Sequence, residues 1–202
     1  MRKTLTYLFL SLLSLFAMAQ QQAANILDRA TEALRRAGGI RAEFTVKADN
    51  GYLSSGTISL KGEKFVLEAG DTKTWFDGHT QWTYLSSTEE VNISEPTSEE
   101  LQSINPYVWL ALYKQGYTYS LQSSDKQSYK ILLTATNRKE LQSVTIYIRK
   151  NTYLPLRICM MQRGGENTDI QITSCQTHQS YSDAFFKFDK RNYPDAEIID
   201  LR

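Results

Sequence analysis

The side chains with the greatest capacity for chemistry in this chain are its two cysteines and two histidines. Cys175 and His178 have the C-x-x-H spacing of metal ligands, but a closed zinc site needs further ligands, and the other candidates are scattered along the sequence. There is also no G-x-S-x-G nucleophile elbow, no P-loop and no G-x-G-x-x-G turn. We therefore expect no metal, no cofactor and no catalytic residue, and we expect His79, which follows Asp77-Gly78 in a predicted turn, to be exposed.

The two cysteines raise the separate question of a disulfide bond. A hairpin turning at Gly164-Gly165 would place Cys159 near Ile170, several residues out of register with Cys175 and beyond bridging distance. The pattern favours two free, mostly buried thiols. A longer loop is the alternative that would bring them together, and an oxidising compartment would permit the bond.

The composition is that of a folded domain. The chain has 202 residues, of which 41% are hydrophobic and 22% charged, with 23 basic and 22 acidic residues. There is no basic excess to neutralise phosphates, which argues against nucleic acid as a partner.

The first nineteen residues have the form of a secretory signal peptide. Arg2 and Lys3 precede an apolar stretch, Leu5 to Phe16, and Ala17-Met18-Ala19 is a small-x-small cleavage site. We expect cleavage after Ala19, which divides the chain into a signal peptide, residues 1–19, and a single exported domain, residues 20–202. An uncleaved membrane anchor is the alternative.

The exported part begins with an amphipathic helix and continues with strands. The helix is predicted from Asn25, near its N-cap, to Gly38-Gly39. Its apolar stripe consists of Ile26, Leu27, Ala30, Leu34 and Ala37. Alternating patterns and recurrent turn residues then predict six antiparallel strands over residues 40–94, five more over residues 117–175, and a short last strand near residues 197–200.

A second helical region interrupts the strands. Thr97 and Glu100 have the spacing of a capping box, and Asn105-Pro106 is predicted to open a helix that is apolar nearly all round and ends at Gly116. A sheet of about eleven strands with one apolar face tends to curl and to leave a cavity that two short helices cover but do not fill. An apolar cavity without catalytic groups suits the hydrocarbon part of a ligand.

The residues of the exported part resemble the periplasmic outer-membrane lipoprotein carriers, the LolA-type chaperones. The likeness begins with Ile40-Arg41-Ala42-Glu43-Phe44 after the helix and continues in Asp77-Gly78-His79-Thr80-Gln81-Trp82-Thr83-Tyr84, which is similar to the family's D-G-x-x-x-W-x-Y hairpin. Phe186-Lys187-Phe188, with Pro194 and Ile198-Ile199-Asp200, is similar to its closing segment. The resemblance implies an α+β fold: an open, strongly curved antiparallel half-barrel with short helices as a lid over a hydrophobic cavity, no catalysis, and a location in the periplasm.

Combined with the strand alternation, this fold assigns a set of candidate ligand-binding residues. The inward rows that would line the cavity are Phe44, Val46, Ile58, Leu60, Phe65, Leu67, Trp82, Tyr84, Val144, Ile146, Ile148, Leu156 and Ile158. The lid residues are Ile26, Leu27, Leu34, Trp109 and Leu112.

The function that the resemblance implies is a carrier that ferries lipoproteins, by their acyl chains, from the inner to the outer membrane. Its partners would be acylated lipoproteins or lipid, an inner-membrane release complex and an outer-membrane acceptor, and we expect a monomer. A sensor or regulator of the same fold and a general binder of apolar ligands are the alternatives. One departure concerns release: many members carry an arginine where the third strand begins, whereas this chain has Lys61-Gly62-Glu63-Lys64.

Overall fold

The computed structural model describes residues 2–101, 114, 116–137 and 141–202, and it contains one long helix on one face of a single curved sheet. The helices are α1 (Arg2–Arg36) and the short α2 (Ser98–Leu101). The strands are β1 (Gly39–Ala48), β2 (Leu53–Lys61), β3 (Lys64–Ala69), β4 (Thr72–Phe76), β5 (Gln81–Leu85), β6 (Glu90–Ser94), β7 (Tyr117–Ser124), β8 (Ser128–Ala135), β9 (Leu141–Arg149), β10 (Pro155–Gln162), β11 (Asn167–Gln179) and β12 (Glu197–Asp200).

The strand order confirms the predicted open half-barrel. It runs β12-β6-β5-β4-β3-β2-β1-β11-β10-β9-β8-β7, so β1 lies in the middle and pairs with both β2 and β11. Neighbouring strands are antiparallel except β12, which pairs with β6 in parallel and forms one edge. The hairpins turn at glycines in the left-handed region, for example Gly62 (φ 61°) and Gly70 (φ 60°), where a side chain would be strained. The glycines from which the turns were predicted therefore adopt a backbone conformation that these turns require.

Helix α1 starts earlier than the sequence indicated. It runs without a break through Asn25, which is an interior helical residue and not a cap. The reason is that the segment before Asn25 contains Ala, Met and Gln, all good helix formers, and no glycine or proline. No helix in the described ranges is both long and apolar enough to cross a membrane.

The capping box before α2 is confirmed. The Thr97 backbone N–H donates to Glu100 Oε2 at 2.8 Å, and the Glu100 N–H donates to Thr97 Oγ1 at 3.3 Å. The helix predicted from Asn105-Pro106, including Trp109 and Leu112, lies outside the described residues.

The sheet has an apolar cluster on each face. The larger cluster joins α1 to the concave face, from Ala23 and Leu27 on the helix to Phe65, Ile131 and Ile146 on the strands. The smaller cluster, on the convex face, contains Val66, Trp75 and Phe186. Residues paired across two neighbouring strands lie on the same face of the sheet. The pair Leu60–Phe65 therefore lies on the concave face, and the pair Ser59–Val66 lies on the convex face.

Candidate functional site

Helix α1 packs its apolar stripe along the concave face of the sheet. Five stripe residues, Ala23, Ile26, Leu27, Ala30 and Leu34, are at most 5% exposed. Their three- and four-residue spacing places them on one side of a helix, and the small alanines let the helix approach the sheet closely. We call this contact between α1 and the sheet the concave seam.

Most of the residues expected to line the cavity lie in the concave seam. The sheet residues placed there are Phe44, Val46, Ile58, Leu60, Phe65, Leu67, Val144, Ile146, Ile148 and Ile158, and they meet the helix residues Ile26, Leu27 and Leu34. Several are completely buried, including Phe65 and Ile148. In the described part of the chain, α1 therefore occupies the space in which the sequence suggested a ligand.

The expectation for Trp82 and Tyr84 was wrong. Both belong to the convex cluster, where Trp82 pairs across the strands with Trp75, and the ring of Tyr84 lies 4.7 Å from that of Tyr193. Strand alternation correctly placed them on one face, but their size suggested the wrong side. Gln81, opposite Phe76, and Thr83 occupy the concave side of β5 instead.

The expectation for Leu156 was also wrong. A register shift in β10 leaves an extra residue between Pro155, which pairs with Ile148, and Arg157, which pairs with Tyr147. This bulge breaks the simple alternation from Leu154 to Ile158. Leu156 instead lines a convex pocket with Tyr147 and Arg157.

A polar cavity lies at the rim of the concave seam and was not foreseen from the sequence. Its volume is about 490 Å³. It is lined by Gln22, Asn25, Ile26, Asp28, Arg29, Tyr129 and Tyr153. Because Ile26 also belongs to the seam, the polar cavity and the apolar contact adjoin. We call it the rim cavity.

Cations and tyrosine rings alternate beside the rim cavity. Arg29 Nη1 donates to the Tyr153 hydroxyl at 2.6 Å, the rings of Tyr153 and Tyr129 stack at 6.1 Å, and Lys150 Nζ lies 5.0 Å from the centre of the Tyr129 ring. The hydrogen bond from Arg29 lowers the pKa of Tyr153, whereas the hydrogen bond with Tyr153 raises the pKa of Tyr129. These four side chains therefore connect α1 to the rim of the sheet through a positively charged contact.

A C-terminal strap, residues 181–196, crosses the convex face of the first strands. Phe186 is completely buried there, and the Trp75 ring lies 5.6 Å from Phe188 and 5.5 Å from Tyr193. Both phenylalanines of the Phe-x-Phe motif, Phe186 and Phe188, therefore pack in the convex cluster, which the strap covers. This packing explains why Trp75, Trp82 and Tyr84 are not available to the concave face.

The lysines at the β2–β3 turn hold the strap and not the helix. Lys61 Nζ donates to the Tyr181 carbonyl at 2.8 Å, and Lys64 Nζ lies 3.0 Å from the Asp183 carboxylate. The Lys64 ammonium lowers the pKa of Asp183. These contacts place the two lysines on the convex side, opposite the concave seam.

The Asp77-Gly78 turn has a structural role. Asp77 Oδ1 accepts from the backbone N–H groups of His79 and Thr80 at 3.1 and 2.9 Å, and Lys187 Nζ in the strap lies 3.4 Å from Asp77 Oδ2. Partial burial works to raise the pKa of Asp77, but these hydrogen bonds and Lys187 outweigh it and the pKa is lowered. The His79 side chain is 75% exposed, as expected.

The cysteines are separate in the structure. Cys159 pairs with Asp169 across the strands, and Cys175 lies six residues farther along β11, about 20 Å at the rise of an extended strand. Both thiols are free, as the register predicted. Cys159 is half-buried and Cys175 is exposed, so the expectation of two mostly buried thiols was wrong. Within the described residues, no three His, Cys, Asp or Glu side chains gather as a metal site.

Comparison with known proteins supports a family assignment. The family model of the outer membrane lipoprotein carrier protein LolA matches residues 13–165. No curated protein matches the sequence. An uncharacterized conserved protein from Thermus thermophilus has a similar structure, with a TM-score of 0.63 and 17% identity over 89% of this chain and 99% of that one.

Two further solved structures share the fold. A DUF1329 family protein from Desulfovibrio piger has a TM-score of 0.52 and 15% identity, covering 84% of this chain and 97% of the other. A putative outer membrane lipoprotein-sorting protein domain from Vibrio parahaemolyticus has a TM-score of 0.51 and 11% identity, covering 83% and 97%. Because the family model spans most of the sequence and the half-barrel agrees with it, the chain belongs to the outer membrane lipoprotein carrier protein LolA family.

Proposed function

We propose that this protein is a periplasmic carrier that binds the acyl chains of lipoproteins and moves them from the inner to the outer membrane. The observation that carries the proposal is the concave seam, where the amphipathic helix α1 packs on a wide apolar sheet face. A sheet face of this kind can hold either the helix or another apolar body. Family membership supports an acylated lipoprotein as that body.

In this proposal, α1 is the lid and competes with the ligand. Each CH₂ removed from water contributes about 0.8 kcal/mol, so several fully buried acyl chains would bind too tightly for release. When α1 returns to the seam, its own apolar contacts replace those of the chains. The competition lowers the net affinity to a level at which cargo can be transferred.

The proposal includes export and cleavage after Ala19. Residues 20–36 of α1 would remain, a helix of about 25 Å at the rise of 1.5 Å per residue. This part retains every stripe residue of the concave seam, from Ala23 to Leu34. Cleavage would therefore leave the lid intact, and the protein would bind without catalysing a reaction.

Native mass spectrometry of the protein isolated gently from the periplasm tests this function. We expect a bound triacylated lipoprotein, which should then pass to acceptor membranes in a transfer assay. Bound free lipid would favour the general binder. Retention of the lipoprotein, with a changed affinity for a protein partner, would favour the sensor.

A matched pair of variants links uptake to the concave seam. Leu67→Asn changes a half-buried residue of the concave cluster, and Leu156→Asn makes the same change on the convex side. We expect the first variant to lose lipoprotein uptake and the second to retain it, with both folded by circular dichroism. Equal uptake by the two would contradict the assignment of the seam as the binding site.

A further inference from the structure

The concave face of the sheet changes from apolar to polar between β3 and β5. Two rows of cross-strand partners follow this change, each beginning with polar residues on β6 and β5 and ending with apolar residues on β3 and β2: Asn92, Thr83, Thr74, Leu67 and Ile58 in the first row, and Ser94, Gln81, Phe76, Phe65 and Leu60 in the second. Cross-strand partners share a face, and the apolar ends of both rows belong to the concave cluster. We call Thr74, Gln81, Thr83, Asn92 and Ser94 the concave polar face. All five residues belong to β4–β6 and none to α1.

Hydrogen bonds connect three side chains of the concave polar face. Gln81 Nε2 donates to Thr83 Oγ1 at 3.3 Å, and the hydroxyl oxygens of Thr83 and Thr74 lie 3.4 Å apart, so that one hydroxyl donates to the other. This pair of threonines uses one hydroxyl hydrogen for the contact between them. The second hydroxyl hydrogen can therefore be donated to the carbonyl oxygen of a ligand.

Gln81 also carries an acceptor that is not used. Its Oε1 atom is shielded from water and has no hydrogen-bond partner, and it is the one such side-chain atom that the described residues contain. A buried polar atom without a partner is costly, so native proteins rarely retain one. The Gln81 side chain as a whole is only half-buried, and the last torsion of a glutamine turns easily. A small rotation therefore brings Oε1 to the concave surface, where an N–H donor of a ligand would satisfy it.

We propose that the concave polar face binds the polar linkage of the cargo, with Gln81 Oε1 accepting the amide N–H of an N-acylated lipoprotein amino terminus. This rests on the proposed function, because the acyl chain needs the concave seam. Gln81 and Phe65 are two strands apart in one row, about 10 Å at the usual strand spacing, so a chain lying over β1–β3 places its linkage beside Gln81. The second hydroxyl hydrogen of the threonine pair serves the carbonyl oxygen of the same linkage. Because all these groups belong to the sheet, they stay in place when α1 leaves the seam.

Two uncharged probes that differ in one group separate the linkage from the chain. The first is 1-monolaurin, an ester, and the second is N-(2,3-dihydroxypropyl)dodecanamide, in which an N–H replaces the ester oxygen of the same molecule. Without a partner for its N–H the amide would bind more weakly than the ester, because removing an N–H from water costs free energy. We expect isothermal titration calorimetry of the full mature protein to give a dissociation constant about tenfold lower for the amide, because its N–H meets a buried acceptor that otherwise has no partner.

Gln81→Met is the test variant, and Gln171→Met is its matched control. Methionine keeps the length of the side chain and removes the amide, and Gln171 is an exposed residue of β11 on the convex face, where it pairs with Thr45 and Arg157. We expect Gln81→Met to abolish the preference for the amide without weakening the binding of 1-monolaurin, and Gln171→Met to retain the preference. If Gln81→Met fails to fold, Gln81→Leu removes the same acceptor and replaces it. The comparison of the two probes on the wild type tests the proposal without either variant.

The results distinguish this inference from the function on which it rests. Equal affinities of the wild type for the two probes, or tighter binding of the ester, would overturn the linkage site while leaving the acyl-chain site intact. A preference retained in Gln81→Met would also overturn it, because the acceptor would then be another group. Failure of both probes to bind the wild type would reject the acyl-chain site and the linkage site together. Amide linkages also occur in free lipids, so recovery of such a lipid instead of a lipoprotein from the periplasmic protein would overturn the assignment to a lipoprotein.

Discussion

Replacing Leu27 by alanine should make the protein less stable and its ligand affinity higher. Leu27 is a residue of α1, and its side chain is completely buried against the concave face of the sheet. A ligand that displaces α1 removes Leu27 from the seam. The substitution therefore destabilises the helix-docked state and spares the ligand-bound state.

The expected size of both effects follows from the complete burial of Leu27. A Leu→Ala change at a fully buried site costs about 3 kcal/mol, within the range of 2–5 kcal/mol, because the apolar contact is lost and a cavity remains. Each 1.4 kcal/mol corresponds to a factor of ten in an equilibrium constant. If the whole cost falls on the helix-docked state, the apparent dissociation constant should decrease by up to about a hundredfold.

Two measurements on the same preparations test this expectation. Thermal unfolding should show a lower melting temperature, by about 6–12 °C for a domain of this size. Titration with 1-monolaurin, which has no charge and depends on the seam, should show the tighter binding. Val91→Ala provides the control, because Val91 is completely buried on the convex side, where it should affect stability and not affinity.

An unchanged or weaker affinity in Leu27→Ala, together with the loss of stability, would refute the reasoning. It would mean that α1 stays in place when the ligand binds, so the ligand would have to bind elsewhere. Tighter binding in Val91→Ala as well would also refute it, because general loosening of the fold would then explain both results.

Three other expectations concern the supporting structure. Phe186→Ala should lower the free energy of unfolding by about 3–5 kcal/mol in denaturant titrations, since Phe186 belongs to the strap and is completely buried against the convex face; a loss below about 1 kcal/mol would contradict this role. Cys159 and Cys175 should both react with iodoacetamide in the unreduced, denatured protein, and a disulfide-linked mass would contradict the register. Arg157 lowers the pKa of Asp169, so their ion pair stabilises the fold above the unfolded-state pKa of about 3.9 and loses that effect as the pH falls through the lower folded-state pKa. Asp169→Asn should therefore cost less than about 1 kcal/mol at neutral pH, because the pair is partly exposed, and should cost less still in acid; an equal cost at both pH values would contradict this origin.

The sheet could be predicted because its signals are local. Alternation with a period of two marks a half-buried strand, and residues such as Gly62 and Gly70 mark turns through their positive φ. Residues of the central strands, such as Phe44 and Ile58, could be assigned to the concave face because their alternation is regular and their partners on the neighbouring strands are also apolar. Register across the Gly164-Gly165 turn was predicted almost correctly, because a short hairpin leaves few alternatives.

The errors came from features that depend on distant residues. Trp82 and Tyr84 share a face, but only the strap, more than ninety residues later, makes the convex side apolar enough for them. Leu156 lies on the other side because of one bulge, which interrupts the alternation between Pro155 and Arg157. The contact of Arg29 with Tyr153 joins residues 124 positions apart and depends on the left-handed backbone conformation of Tyr153. No local sequence pattern therefore predicts it.

The presence of two clusters explains how the lid could open without unfolding the protein. The convex cluster, covered by the strap, stabilises β3 to β5 without any residue of α1. The strand hydrogen bonds are likewise independent of the helix, and the covalent link from α1 to the sheet passes through Gly38, which precedes β1 with a φ of 65°. Gly38 can adopt this left-handed conformation at little cost, and it has open space around it. Among the described residues, release of α1 therefore breaks the concave seam, the contacts at the rim and the ion pair between Asp28 and Lys114. For this reason we expect hydrogen exchange in residues 20–36 to increase in Leu27→Ala while the amides of β3 and β4 remain protected; simultaneous loss of protection in both would mean that helix and sheet open as one unit.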